Sequence, residues 1–96
     1  MTHQEYDCII VGAGPAGLGA GLYAARDRAK TILLEKFYPG GQINTTDRIE
    51  NYPGYAQISG PDLVMKMLEQ VQTFGGEVKT STEVAGLSRR QDGRIE

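Results

Sequence analysis

The sequence predicts an α/β fold with a parallel sheet, and three features of residues 6–36 indicate it. The apolar, β-branched segment YDCIIVG at 6–12 stops at a glycine and is typical of a buried strand. A helix is predicted from Pro15, which needs no N–H partner at a helix start, to about Ala29. KTILLEK at 30–36 is a second apolar strand. This order favours two parallel strands joined by a right-handed crossover.

The segment at 37–60 is predicted to be a functional loop. It is rich in Gly, Pro, Asn and Thr and lacks a hydrophobic period. Loops of this length in compact domains are usually functional or disordered. Its aromatic residues argue against disorder; they are Phe37, Tyr38, Tyr52 and Tyr55.

A second helix is predicted over 60–76, because Pro61 and Asp62 suit its first turn and Gly75–Gly76 suit its end. Its wide apolar stripe indicates a core or interface face and comprises Leu63, Val64, Met67, Leu68, Val71 and Phe74.

One or two short strands are expected over 77–90, and Asp92-Gly93 then predicts a hairpin turn. Only three residues follow Gly93, which leaves a very short return strand. We therefore expect the sequence to be the N-terminal segment of a longer protein. The arginines near this turn, Arg89, Arg90 and Arg94, are expected to form a solvated face.

Composition and charge exclude several classes of function. The 96 residues suffice for one domain at most, and a net charge of −2 without a basic stripe argues against nucleic-acid binding. No apolar run approaches the roughly 20 residues that span a bilayer, and the polar N-terminus is no secretory signal, which favours the cytoplasm.

Cys8 is expected to be a buried small hydrophobe. A lone His3 without a ligand cluster predicts no metal site.

The spacing Gly12-x-Gly14-x-x-Gly17, between a strand and a helix, is the dinucleotide-binding fingerprint. Gly12 allows a sharp turn, Gly14 lets the main chain approach a pyrophosphate, and Gly17 lets the helix pack closely. Free main-chain N–H groups at the helix start would then face the phosphates. Gly19 and Gly21 are attributed to close packing against the sheet or a cofactor.

Glu35 completes this fingerprint, since it follows Gly17 at close to the usual interval of about 20 residues. A carboxylate there can accept both ribose hydroxyls of an adenosine and would repel a 2′-phosphate. The residues therefore favour FAD or NAD over NADP at this site. The alternative is a glycine turn without a ligand, with Glu35 as a solvated charge.

Three segments, IIVGAGPAGLGAGLYAAR, EKFYPGGQINTTDRIENYPG and ISGPDL, resemble the N-terminal region of low-molecular-weight thioredoxin reductases. Many flavoproteins share GAGPAG, whereas GGQ followed by ENYPG is far more specific. The resemblance covers about residues 5–95. It implies a Rossmann-like, FAD-binding α/β domain of three-layer ββα character, of which residues 1–96 are the N-terminal part. In that family the domain is discontinuous, and an inserted NADPH domain carries a Cys-x-x-Cys pair.

The resemblance also implies roles for individual residues. Those implied to contact FAD are Gly12, Gly14, Pro15 and Ala16 at the pyrophosphate, Glu35 with Lys36 at the adenosine ribose, Gly40, Gly41 and Gln42 along the diphosphate–ribityl stretch, Thr46 and Asn51 towards the isoalloxazine, and Val84 at the adenine. No catalytic residue is implied within the segment, because it has one cysteine and no Cys-x-x-Cys.

The activity implied is that of a homodimeric reductase passing electrons from NADPH to FAD, to a redox disulfide and then to thioredoxin. Three alternatives stay open. They are a cysteine-free ferredoxin–NADP reductase-like flavoenzyme, an alkyl-hydroperoxide-reductase flavoprotein, and a non-catalytic nucleotide-binding fragment. The 96 residues alone, as a segment of the reductase, are expected to be inactive.

Overall fold

A computed structural model describes residues 4–96, and His3 lies outside this range. Its sheet has three parallel strands in the order β1 (Cys8–Val11), β2 (Thr31–Leu34) and β3 (Glu77–Lys79). Helix α1 (Pro15–Arg26) joins β1 to β2. A 3-10 helix (Gly41–Thr45) and helix α2 (Gly60–Thr73) lie between β2 and β3. The predicted parallel α/β arrangement is therefore confirmed.

Both helices pack on the sheet face that carries Ile10, Leu33 and Val78, which lie side by side in the strand register. The buried cluster between the layers consists of Ala13, Leu18, Leu33, Val64 and Val71. A Cβ on Gly21 would lie only 2.8 Å from Leu33 Cδ1, so this glycine lets α1 approach β2 closely, as predicted. Packing against the sheet is not observed for Gly19, where an added Cβ would meet no atom within 4 Å.

The prediction that β1 is a buried strand is wrong for one of its two faces. Ile9 is 48% exposed and Val11 58% exposed, whereas the alternate residues Cys8 and Ile10 are half-buried. Successive side chains of a strand point to opposite faces, and within residues 4–96 the helices cover only one of them. Apolar character alone cannot report which face is covered.

Helix α1 ends at Arg26, three residues before the predicted end near Ala29. The amides of Arg28 and Ala29 donate to the carbonyls of Ala25 (3.0 Å) and Ala24 (3.1 Å). This is a Schellman motif, whose turn residue adopts the left-handed conformation and is usually glycine. Here that residue is Arg28, with φ of 65°.

Helix α2 begins after Ser59, whose Oγ accepts a hydrogen bond from the Asp62 amide at 3.2 Å. It ends in the same Schellman motif as α1, but with Gly75 (φ 91°) at the left-handed position. The predicted apolar stripe is buried or half-buried except at Phe74, which is 50% exposed. Phe74 follows the last helical residue and stacks against the Arg26 guanidinium instead.

The irregular segments contain defined contacts. Ile49 and Ile58 form an antiparallel bridge inside the predicted loop at 37–60. The predicted hairpin is confirmed by a bridge between Arg89 and Ile95, and Arg94 pairs with Glu5. Among residues 4–96, no helix combines the length and apolarity needed to cross a membrane.

Candidate nucleotide-binding site

The glycine turn after β1 has the predicted geometry. Gly12 adopts φ of 99°, a conformation that L side chains rarely take, and its amide donates to the Leu34 carbonyl at 2.9 Å. A Cβ on Gly17 would overlap the Gly12 carbonyl oxygen and lie 3.1 Å from its carbonyl carbon. The predicted roles of Gly12 in turning and of Gly17 in close packing are therefore confirmed.

The first turn of α1 presents main-chain donors to open space. Within residues 4–96, the amides of Gly14, Ala16 and Gly17 donate no main-chain hydrogen bond, and Pro15 has no N–H. A Cβ on Gly14 would meet no atom within 4 Å. Unpaired amides at a helix start, with open space in front of them, are the kind of donor set that binds phosphate groups.

The Ala13 amide is not among these free donors, because it donates to Glu35 Oε1 at 2.8 Å. The second carboxylate oxygen, Oε2, accepts the Phe37 amide at 2.9 Å. The acid therefore lies beside the turn, as predicted, but two main-chain amides already hold it. An ionised carboxylate has about four acceptor positions, so two remain for ribose hydroxyls.

These hydrogen bonds favour the charged form of Glu35. The Phe37 amide contributes most and the Ala13 amide next, and together they lower the pKa of the Glu35 carboxyl below its ordinary value. Partial burial acts in the opposite direction but is the smaller effect. Glu35 is consequently ionised at neutral pH.

The start of the 3-10 helix forms the second wall. The Gly40 amide donates to the Ala13 carbonyl at 2.8 Å, and a Cβ on Gly41 would lie 4.0 Å from Gly14 Cα. Gly40 itself has φ of 114°. An open depression of about 520 Å³ lies here and is lined by Glu35, Phe37, Tyr38, Gly41, Gln42 and Thr45.

The segment after β3 runs back along the end of β2. The Thr82 amide donates to the Glu35 carbonyl at 2.8 Å, and Lys36 Nζ lies 3.5 Å from Glu83 Oε1. Val84 follows directly and is half-buried, but it lies outside any strand, so a second strand at this position is not observed. The structure nevertheless places this segment beside Glu35.

Thr46 and Asn51 lie farther along the chain from this cluster. Thr46 ends the 3-10 helix, and its carbonyl accepts the Gly60 amide at 2.8 Å. Asn51 is exposed in the irregular segment before α2. Within residues 4–96, no hydrogen bond joins either residue to the glycine turn.

Asn44 is a site-supporting residue that the sequence reasoning missed. Its Nδ2 donates to the Pro39 carbonyl at 2.6 Å and packs against Gly40, which braces the start of the 3-10 helix. No spacing rule pointed to it, because its partner is a main-chain carbonyl.

Cys8 is half-buried on β1, and residues 4–96 contain no cluster of metal-binding side chains.

Comparisons with known proteins point to one family. The family model described as "Pyridine nucleotide-disulphide oxidoreductase" matches residues 6–95. Thioredoxin reductases of Bacillus subtilis and Listeria monocytogenes are 49% and 51% identical over 78 and 79 residues, and each alignment covers 80% of this chain and 25% of the relative. The chain therefore spans a quarter of the length of these curated relatives.

Solved structures give the same result. The thioredoxin reductase of Lactococcus lactis superposes with a TM-score of 0.84 at 49% identity, covering 92% of this chain and 29% of that one. The thioredoxin reductase of T. acidophilum superposes with a TM-score of 0.87 at 29% identity, covering 97% of this chain and 30% of that one. Both superpositions therefore cover nearly the whole of this chain.

Proposed function

The chain belongs to the pyridine nucleotide-disulphide oxidoreductase family, and from this premise we propose that it is the FAD-binding segment of an NADPH-dependent thioredoxin-disulfide reductase. One observation carries the proposal: the Glu35 carboxylate lies against the glycine turn, beside the unpaired amides at the start of α1. Diphosphate donors and a ribose acceptor thus occur together, as an adenosine diphosphate group requires.

The donor set fits FAD. The amides of Gly14, Ala16 and Gly17 would hold the pyrophosphate, and the free acceptor positions of Glu35 would take the adenosine ribose hydroxyls. The negative charge of Glu35 would disfavour a 2′-phosphate, so we place NADPH elsewhere in the whole enzyme. The remaining residues proposed to contact FAD are Gly12, Pro15, Lys36, Gly40, Gly41, Gln42, Thr46, Asn51 and Val84.

When bound, FAD supplies the redox chemistry of the reaction. The residues of this chain bind and orient it, and none exchanges a disulfide, because dithiol exchange needs an attacking thiol and a resolving partner. The sequence contains one cysteine. We therefore place the redox-active cysteine pair in other parts of a homodimeric, cytoplasmic enzyme whose disulfide substrate is thioredoxin or a similar protein.

The test is titration of the purified chain with FAD, followed by flavin fluorescence and the yellow colour of the bound sample. Gly14→Ala would place a methyl group in the open space before α1, where the diphosphate would lie. We expect it to weaken binding at least about tenfold, or about 1.4 kcal/mol.

Gly19→Ala is the matched control, because a Cβ there also meets open space but lies outside the turn. It should bind FAD as the unaltered chain does. If the unaltered chain fails to bind FAD, the non-catalytic fragment is the better description. Equal affinity of the two variants would contradict the proposed diphosphate position.

A further inference from the structure

We infer that Glu35 is a positioning residue that holds the glycine turn in its binding shape before any nucleotide arrives. This inference deepens the proposed function and rests on it for the identity of the ligand, since the same carboxylate is the proposed ribose acceptor. The role inferred here is distinct from ribose binding, because both partners of the carboxylate are main-chain amides of the protein itself.

The carboxylate joins two parts of the chain that are separate in sequence. Oε1 accepts the amide of Ala13, in the turn, and Oε2 accepts the amide of Phe37, which begins the next loop. Ala13 is fully buried, and its carbonyl accepts the Gly40 amide at 2.8 Å. One peptide segment of the turn is therefore tied to the end of β2 on one side and to the start of the 3-10 helix on the other.

The main chain of Glu35 is itself fixed on both sides. Its amide donates to the Lys79 carbonyl at 2.9 Å, and its carbonyl accepts the Thr82 amide at 2.8 Å. The carboxylate therefore extends from an anchored point in the sheet. The turn takes its position from this point, because the Ala13 amide has no other acceptor among residues 4–96.

Only the ionised carboxylate can accept both amides and two ribose hydroxyls together. A carboxylate accepts at about four positions, whereas a protonated acid or a carboxamide carries donor hydrogens on one of its two terminal atoms. A carboxamide nitrogen cannot accept the N–H of Ala13 or Phe37, and a protonated oxygen accepts it more weakly, so one of the two hydrogen bonds is lost or weakened. Neutralising Glu35 therefore releases the turn or the following loop even without a nucleotide.

The charged environment is compatible with this role. The titratable groups on the elements packed around Glu35 are Lys36 at the end of its own strand, Tyr38 in the following loop, Lys79 on β3 and Glu83 in the segment after it. Lys36 pairs with Glu83. The two amides lower the pKa of the Glu35 carboxyl. The two hydrogen bonds therefore persist to a lower pH than the one at which an ordinary glutamate is protonated.

The experiment is a pH titration of the FAD-free chain followed by the main-chain amide resonances in NMR. We expect the Ala13 and Phe37 amide protons to shift together, with one midpoint below the ordinary range for glutamate. Glu35→Gln should abolish both shifts and speed amide hydrogen exchange at Ala13 and Phe37. Glu83→Gln, which removes an exposed carboxylate nearby, should leave both shifts in place.

Different midpoints for the two amides, no shift, or a shift that survives in Glu35→Gln would each overturn the inference. If Glu35→Gln does not fold, the titration of the unaltered chain still decides: the two amides should share a midpoint at which amides far from Glu35 do not shift, which separates the local change from acid unfolding of the whole chain. FAD binding is measured separately. If both amides titrate together but the chain does not bind FAD, the positioning role of Glu35 stands and the proposed function is refuted. If the chain binds FAD but the amides do not titrate together, the proposed function stands and the positioning role is refuted.

Discussion

Replacing Gly17 by alanine tests how the glycine turn is built. A Cβ on Gly17 would overlap the carbonyl oxygen of Gly12, lie 3.1 Å from the carbonyl carbon and sit 3.5 Å from Ile10 Cγ2. The two nearest atoms belong to the main chain of Gly12, whose amide is held by a hydrogen bond to the Leu34 carbonyl. The turn therefore cannot move aside as a flexible side chain would.

The expected magnitude follows from two opposing effects. Overpacking of a rigid site costs about 1–3 kcal/mol, and more where main chain must move. The higher helix propensity of alanine returns about 1 kcal/mol. Gly19→Ala in the same helix meets no atom within 4 Å and should gain that propensity alone. The propensity gain is common to both variants, so we expect Gly17→Ala to be less stable than Gly19→Ala by the overpacking cost alone, about 1–3 kcal/mol or more.

The assay is urea unfolding followed by far-ultraviolet circular dichroism, with all three proteins analysed at a common m-value. Gly17→Ala should unfold at a lower urea concentration than the unaltered chain, and Gly19→Ala at a higher one. If the two alanine variants unfold at the same urea concentration, the close approach of α1 to the turn does not constrain the fold, and the steric reasoning fails.

Three further outcomes are expected. Arg28→Gly should stabilise the chain by up to about 1 kcal/mol in thermal unfolding, because a non-glycine residue in the left-handed conformation costs about 1–2 kcal/mol; Arg28→Ala should give no such gain. Ser59→Ala should lose about 0.5–2 kcal/mol as the cap of α2, and Ser59→Asp should retain it. Glu35, whose pKa is lowered on folding, stabilises the native state above its unfolded pKa. The unfolding free energies of the chain and Glu35→Gln should therefore converge as pH falls through the folded pKa, and a constant difference would contradict this.

The amino-acid sequence by itself determined the order of the elements and the glycine turn between β1 and α1. Periodicity, Pro15 and the glycine spacing are local signals, and each depends on residues close together in the chain. The same is true of Gly75–Gly76, which end α2, and of Asp92-Gly93, which turn the hairpin. These predictions held because their causes are dihedral preferences and side-chain patterns within a few residues.

Only the tertiary structure decided which groups meet. It placed both helices on one face of the sheet and left Ile9 exposed on the other. It paired the Glu35 oxygens with the amides of Ala13 and Phe37, so that a predicted ligand acceptor is also part of the protein's own hydrogen bonding. Main-chain amides carry no sequence signature, and contacts across 22 residues depend on how the elements pack. A local pattern therefore cannot contain them.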